Sequence, residues 1–273
     1  MGRPFGELVV RNATEAHTAT LIVLHGLGDT GHGWYQAASQ IKLGPHVKFL
    51  FPTAPTRPIT LNMGMEMPGW FDIKALGDPQ QMLQQMGSAD GMQESLDYVR
   101  GLIEKEISYG IAPERIVVAG FSQGGHLALK TVLQSPVRLG GCVAMSTWLE
   151  PFSFEVSAAK EVPFLVCHGS QDPLIPSFLS STTEGLLKAA GVNVTLKMYP
   201  GMQHSTCPQE MNDFTQFVSP LIPAEAPPPV SKDDVGRMSI KELKAFLSRH
   251  GADTRGLLEK ADFVDKAKEL CES

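Results

Sequence analysis

Ser122 stands in Gly120-Phe121-Ser122-Gln123-Gly124-Gly125, directly after the apolar run 116–119. A serine at a sharp strand-to-helix turn is held in strained backbone geometry that lifts its hydroxyl clear of the sheet, and only small neighbours such as Gly120 and Gly124 fit beside it. The chemistry this permits is attack on an acyl carbon through a covalent intermediate. A hydroxyl at its ordinary pKa is a poor nucleophile, so the reading needs a histidine base and an orienting acid, in the chain order Ser, Asp, His. Asp172 follows the buried-type run 162–167, within His168-Gly169-Ser170-Gln171-Asp172-Pro173, and His204 ends Tyr199-Pro200-Gly201-Met202-Gln203-His204 after the run 192–198. Both lie where a strand gives way to a loop, which is where α/β sheets keep their chemistry. Taken alone, Asp172 before a proline suits a turn, and a loop histidine is commonplace. Shared order and placement carry the assignment. Of the other histidines, His17, His32, His46 and His250 lack strand-end context, and His126 and His168 read as packed or capping residues.

Acyl transfer also needs N–H donors aimed at the developing oxyanion, and losing one typically costs about a hundred- to a thousand-fold in rate. One is expected from the backbone of Gln123, the residue after the serine. The other is expected from Leu27, because the strand-like run 20–24 ends in His25-Gly26-Leu27-Gly28-Asp29, whose glycines allow the amides to turn inward. A plain Gly-rich turn fits that segment equally well on its own.

Strand-like runs at 21–24, 47–51, 116–119, 141–146, 163–168 and 193–199 alternate with helical stretches at 92–109, 126–134, 178–190 and 208–218. Such alternation predicts an α/β fold with a doubly wound, mostly parallel sheet. A chain of 273 residues can bury a substantial core of this kind. The four cysteines, Cys142, Cys167, Cys207 and Cys271, are scattered, two of them inside apolar runs, and read as reduced thiols. They and the histidines show no metal-ligand spacing, so neither metal nor cofactor is expected. No segment resembles a signal peptide or is long enough to span a bilayer, and Gly6 occupies the position where a myristoylation signal wants Ser or Thr. A soluble, cytoplasmic protein is expected. A net charge of −6 argues against nucleic-acid binding and against bulk attraction to anionic membranes.

Six blocks in order carry a more specific likeness: His25 to Trp34, Arg57 to Met63, Met67 to Ile73, the serine turn, Asp172-Pro173-Leu174-Ile175-Pro176, and Gly201 to Ser205. Together they resemble the acyl-protein thioesterases of the phospholipase/carboxylesterase group, from about residue 21 to residue 221. The resemblance implies an α/β-hydrolase fold and hydrolysis of thioester-linked palmitate from S-palmitoylated proteins, with lysophospholipids and simple esters as related substrates and transient contact with a membrane surface. It implies Ser122 as nucleophile, His204 as base, Asp172 as its orienting acid, and Leu27 and Gln123 as oxyanion donors. It also places a loop over an acyl channel at 70–90, which makes Trp70, Ile73, Leu76, Met82 and Leu83 the candidate lining, since each buried methylene contributes roughly 0.8 kcal/mol and methionines adapt to irregular shapes. Apolar residues of a surface loop docking on the core would read the same way. Small-ester carboxylesterase and lysophospholipase remain alternatives, and a non-catalytic binding protein on the same fold is a more remote one.

Pro223-Ala224-Glu225-Ala226-Pro227-Pro228-Pro229 then reads as a stiff spacer. The expected organisation is a hydrolase domain over 1–222, a linker over 223–231 and a helical module over 232–273. Ser239-Ile240-Lys241-Glu242 is a capping-box pattern, Ile240, Leu243, Phe246 and Leu247 recur at helical spacing until Gly251 stops the helix, and Leu258, Ala261, Phe263, Val264, Ala267 and Leu270 form a second apolar series. The module resembles SAP-like helix-loop-helix units, especially the C-terminal domain of the mesencephalic astrocyte-derived neurotrophic factors. That family carries C-x-x-C where this chain has Thr254-Arg255-Gly256-Leu257. Residues 231–273 hold nine Lys and Arg against nine Asp and Glu, without the basic excess that phosphate binding wants. A protein-docking or targeting appendage is expected, with a merely structural tail as the alternative.

Overall fold

The computed structural model describes residues 3–76, 80, 89–152, 156–224, 232–249, 252, 254, 256–257 and 259–271. They fall into two compact units, 1–224 and 225–273.

The larger unit is built on a seven-stranded sheet of β1 (Leu8–Arg11), β2 (Ala19–Leu24), β3 (Val47–Pro52), β6 (Ile116–Phe121), β7 (Gly141–Met145), β8 (Pro163–Gly169) and β9 (Asn193–Tyr199), in the order β1-β3-β2-β6-β7-β8-β9. Every pairing is parallel except β1 with β3. β4 (Thr56–Ile59) and β5 (Met65–Pro68) form a separate antiparallel hairpin. The central strands are apolar throughout because both faces are covered. Successive side chains point to opposite sides: Ile22, Leu24, Ile116 and Val118 join one core, and Leu21, Val23, Val117 and Ala119 the other. Helices α2 (Met92–Ser108), α3 (Gln123–Leu133) and α4 (Phe178–Ala189) pack on the first face, and α1 (Gly31–Ala37) and α5 (Pro208–Val218) on the second. The parallel register brings the C-terminal ends of β6, β8 and β9 to one edge of the sheet, and the chain leaves those ends at Ser122, Asp172 and His204 respectively.

Three features differ from the sequence expectation. Strand β1, the hairpin and helix α1 carry little apolar periodicity, because β1 is a half-buried edge strand and α1 opens on Gly31-His32-Gly33. Helix α3 begins at Gln123 rather than at 126, since Gly124 and Gly125 are tolerated where the helix must approach β2 and Thr147 closely. In the smaller unit, α6 (Lys232–Arg237) precedes α7 (Ile240–Arg249) and α8 (Lys260–Glu269). Val235, Leu243, Phe246, Leu247, Phe263, Ala267 and Cys271 form its core, whereas Ile240 is exposed and Leu258 lies outside the described residues. The capping box forms: Ser239 N–H donates to Glu242 Oε2 at 2.7 Å and Glu242 N–H to Ser239 Oγ at 3.3 Å.

One buried carboxyl in the larger unit runs against stability. Glu210, in the first turn of α5, is fully buried, and neither of its side-chain oxygens has a hydrogen-bond partner within 3.5 Å among the described residues. Burial, reinforced by the Asp213 carboxylate and opposed by the Cys207 backbone, pushes its pKa up to about 8. The folded protein therefore retains a proton that the unfolded chain, with an ordinary pKa of 4.5, releases. Stability accordingly falls as pH rises from about 4.5 to 8. Glu210→Gln, neutral at every pH, should flatten that fall, so that its gain in Tm over wild type is larger by about 2–8 °C at pH 8.5 than at pH 5. Equal differences by scanning calorimetry at the two values would refute the assignment.

Candidate active site

Strand β6 delivers Ser122 at φ 52° and ψ −117°, a region that residues with a side chain rarely occupy. Three hydrogen bonds hold it there. Its N–H donates to Met145 O at 2.8 Å, and its carbonyl accepts from His126 N–H at 3.0 Å and from Thr147 Oγ1 at 2.8 Å. The flanking glycines are required by contact. A Cβ on Gly120 would lie 2.2 Å from Gly124 O, and one on Gly124 would lie 2.3 Å from Leu24 O.

His204 reaches this serine from the loop after β9. Its Nε2 lies 3.0 Å from Ser122 Oγ and its Nδ1 2.7 Å from Asp172 Oδ2. An ionised carboxylate can only accept, so Nδ1 carries the proton and Nε2 faces the hydroxyl as acceptor. The Phe121 ring, 4.9 Å from the imidazole between centroids, backs the histidine. Asp172 is pinned on its other oxygen by the Leu174 and Ile175 amides, both at 2.9 Å. Burial alone would raise the Asp172 carboxyl, but the hydrogen bond from His204 and those two amides outweigh it and hold the group below its ordinary value. His168, read as a packed residue, is fully buried, with Nε2 2.9 Å from Ile175 O and 3.4 Å from Asp172 Oδ2. Burial pushes its pKa down. His126 is likewise buried, its Nδ1 3.0 Å from Trp148 O and its Nε2 3.3 Å from Glu150, which also binds Lys130.

Gln123 follows the serine directly in the chain, and Gly26, the residue before Leu27, brings its Cβ position to 3.6 Å from Ser122 Cβ. Gly28 N–H donates to Pro68 O at 2.8 Å and Asp29 N–H to Gly26 O at 3.2 Å, yet the Leu27 N–H has no acceptor among the described residues. Gln123 opens α3, where an N–H lacks an intrahelical partner, and it too is unpaired. An unpaired backbone amide is the kind of donor that a developing oxyanion requires.

Sequence reasoning gave no role to several residues that build this edge. His25 is buried, its Nδ1 2.6 Å from Gly26 O, while its Nε2 accepts from Ala54 N–H at 3.0 Å. Desolvation lowers its pKa and keeps it neutral, as that bonding pattern requires. Arg57, almost fully buried, donates Nε–H to Gly69 O at 2.7 Å and pairs with Glu94 at 3.3 Å. Only the need of a buried guanidinium for partners could have flagged it.

Of the expected groove lining, Trp70 and Ile73 are buried in the core on the α2 face, and Leu76 is half-buried against the same core. Met82 and Leu83 lie outside the described residues.

A family model described as Phospholipase/Carboxylesterase matches residues 6–222. Acyl-protein thioesterase 1 of Gibberella zeae is 42% identical over 220 residues, which is 77% of this chain and 94% of that protein. The crystal structure of Arabidopsis thaliana SOBER1 superposes with a TM-score of 0.69 at 32% identity, covering 75% of this chain and 99% of that one. Acyl-protein thioesterase 2 of Zea mays gives a TM-score of 0.66 at 29% identity, covering 80% and 100%. With the matched family spanning the whole sheet and every element that frames Ser122, the chain belongs to the phospholipase/carboxylesterase family of α/β hydrolases, alongside the acyl-protein thioesterases.

Proposed function

We propose that this hydrolase removes long acyl groups from cysteine thioesters of S-acylated proteins through an acyl-enzyme on Ser122. The observation that carries the proposal is the unbroken relay Asp172 Oδ2, His204 Nδ1, His204 Nε2, Ser122 Oγ, with both links at 3.0 Å or less. As Ser122 Oγ bonds to the acyl carbon, its proton passes to His204 Nε2, and Asp172 stabilises the imidazolium without taking a proton itself. The carbonyl oxygen, now negative, turns toward the Leu27 and Gln123 N–H groups. Collapse of the tetrahedral intermediate breaks the carbon–sulfur bond, and His204 returns its proton to the departing thiolate. Water then repeats the sequence on the acyl-enzyme, giving the free acid and restoring Ser122. The relatives support the substrate class, because the Gibberella zeae and Zea mays proteins carry the name acyl-protein thioesterase.

The direct test compares steady-state turnover of a palmitoylated cysteine peptide, the matched serine oxygen ester and a lysophosphatidylcholine. The expected result is a kcat/KM highest for the thioester. A thioester left intact while the lysophospholipid is cleaved would replace this reading with that of a lysophospholipase.

We further propose that 1–222 is the catalytic domain, 223–231 a linker, and 232–273 a SAP-like module that docks on a protein partner, with brief contact between the enzyme and a membrane surface where acylated substrates reside. The balanced charge of the module favours a protein over nucleic acid. No helix among the described residues is long and apolar enough to cross a membrane.

A further inference from the structure

The four residues Pro68-Gly69-Trp70-Phe71 are hydrogen-bonded to both segments that present the unpaired amides. Toward the first segment, Pro68 O accepts from Gly28 N–H at 2.8 Å, and the Trp70 indole Nε1–H donates to His25 O at 2.8 Å. Toward the second, Trp70 N–H donates to Gln123 Oε1 at 2.9 Å, and Gln123 Nε2–H donates to Phe71 O at 2.6 Å. Leu27 lies between His25 and Gly28, so one segment is held on either side of its free amide. The other is held through the side chain of the very residue whose backbone N–H is free.

The clamp is itself anchored. Gly69 O accepts from Arg57, Trp70 O accepts from Ser95 Oγ, and the rings of Trp70 and His25 lie 4.9 Å apart between centroids. The Trp70 and Gln123 side chains are fully buried. In so dry a setting each polar group must be satisfied, and a change of partner would be costly. Rigid supports of this kind matter most where donors must sit within a few tenths of an ångström of a charge that exists only in the transition state.

We infer that Trp70 and the Gln123 side chain are positioning residues that fix the separation and aim of the two oxyanion amides, so that Trp70 serves the reaction through the backbone rather than by touching the acyl chain. The inference rests on the assignment of Leu27 and Gln123 as oxyanion donors. It predicts a defect in transition-state stabilisation with ground-state binding spared.

Two substitutions separate the parts. Gln123→Met keeps the backbone amide and removes both side-chain hydrogen bonds, and Trp70→Phe keeps an aromatic ring and removes only the indole donor. With p-nitrophenyl octanoate, Gln123→Met should lower kcat by about 10- to 100-fold and Trp70→Phe by about 3- to 30-fold, with KM within twofold of wild type. The inhibition constant of an octyl trifluoromethyl ketone, which forms a tetrahedral oxyanion on Ser122, should rise by the same factors. Leu187→Ala, in the core of α4, supplies a destabilised control whose kcat and inhibition constant should stay at the wild-type values. If Trp70→Phe and Gln123→Met fold and show wild-type kcat and ketone affinity, or lose only KM, the inference is wrong. It is equally wrong if the Leu187→Ala control moves with them. Should Gln123→Met fail to fold, Trp70→Phe alone decides by the same two readouts. A wild-type protein without turnover, or a Ser122→Ala protein that retains it, would instead overturn the hydrolytic reading on which the inference stands.

Discussion

Ser122→Ala and Ser122→Gly will both lose turnover of p-nitrophenyl octanoate by about ten-thousand-fold or more, yet the glycine variant will be the more stable of the two. The loss follows from chemistry: without Oγ there is no atom for His204 Nε2 to deprotonate and no acyl-enzyme. The difference in stability follows from the backbone. At φ 52° and ψ −117° a Cβ is strained, and such residues cost of order 1–3 kcal/mol. Alanine keeps the Cβ and hence the strain, whereas glycine relieves it. Part of that relief is offset by the greater freedom of glycine in the unfolded chain, leaving a net gain of roughly 1 kcal/mol, or about 2–4 °C in Tm, for Ser122→Gly over Ser122→Ala. Thermal melts of the two inactive proteins under identical conditions measure it. A glycine variant no more stable than alanine would mean that the turn is unstrained and that the hydroxyl is presented without stored backbone energy.

The same turn explains why so much of the candidate site was legible in the sequence. An apolar run feeding into Gly120-Phe121-Ser122-Gln123-Gly124 has few structural solutions, because the small residues are demanded by contacts within the turn and with the neighbouring strand. Asp172 and His204 were legible for a different reason: each follows a buried parallel strand, and a parallel sheet collects all such loops at one edge. The register of β6, β7, β8 and β9 supplies that convergence.

What the sequence could not convey is the tertiary hydrogen bonding. Trp70 reads as an apolar residue near a substrate channel, and nothing in its neighbours announces that its indole N–H, its amide and its carbonyl all have fixed partners on three separate segments. Arg57 enters the sequence reading only as the head of one family-like block, and its place emerges once Gly69 O, Asp90 O and Glu94 are brought around it. Glu210 carries no signal in the sequence: an acid in a first turn is ordinarily favourable beside a helix N-terminus, and only the packing of α5 reveals that water is excluded from this one. Helix α1 escaped notice because glycine occupies its first and third positions. Its one local signal was Thr30, whose side chain caps the Gly33 N–H at 3.4 Å.

Gly124→Ala should be severely damaging, because the atoms its methyl would meet belong to the backbone. The added Cβ would fall 2.3 Å from Leu24 O, 2.5 Å from His25 O and 2.6 Å from Leu24 C, all of them backbone atoms of β2 and the loop that follows it. Flexible side chains can step aside from a contact of that kind, but a central strand hydrogen-bonded on both sides cannot. Helix α3 would have to lift from the sheet by about an ångström, taking with it the Gln123 amide that opens it and the serine that precedes it. The expected cost exceeds about 4 kcal/mol, a fall in Tm of more than about 8 °C, with esterase activity lost even in whatever fraction folds. Gly101→Ala makes the contrast. That glycine lies mid-helix in α2 with nothing among the described residues within 4 Å of its Cβ position, so alanine there should stabilise by about 0.5–1 kcal/mol and leave kcat unchanged. Gly124 does not adopt a positive φ, so conformational freedom is not what it supplies. It supplies closeness: the distance between the loop after β2 and the head of α3 is set by how near two backbones can come when one of them carries no side chain. A Gly124→Ala protein that melts and turns over like wild type would show that the two amides are spaced by something other than that contact.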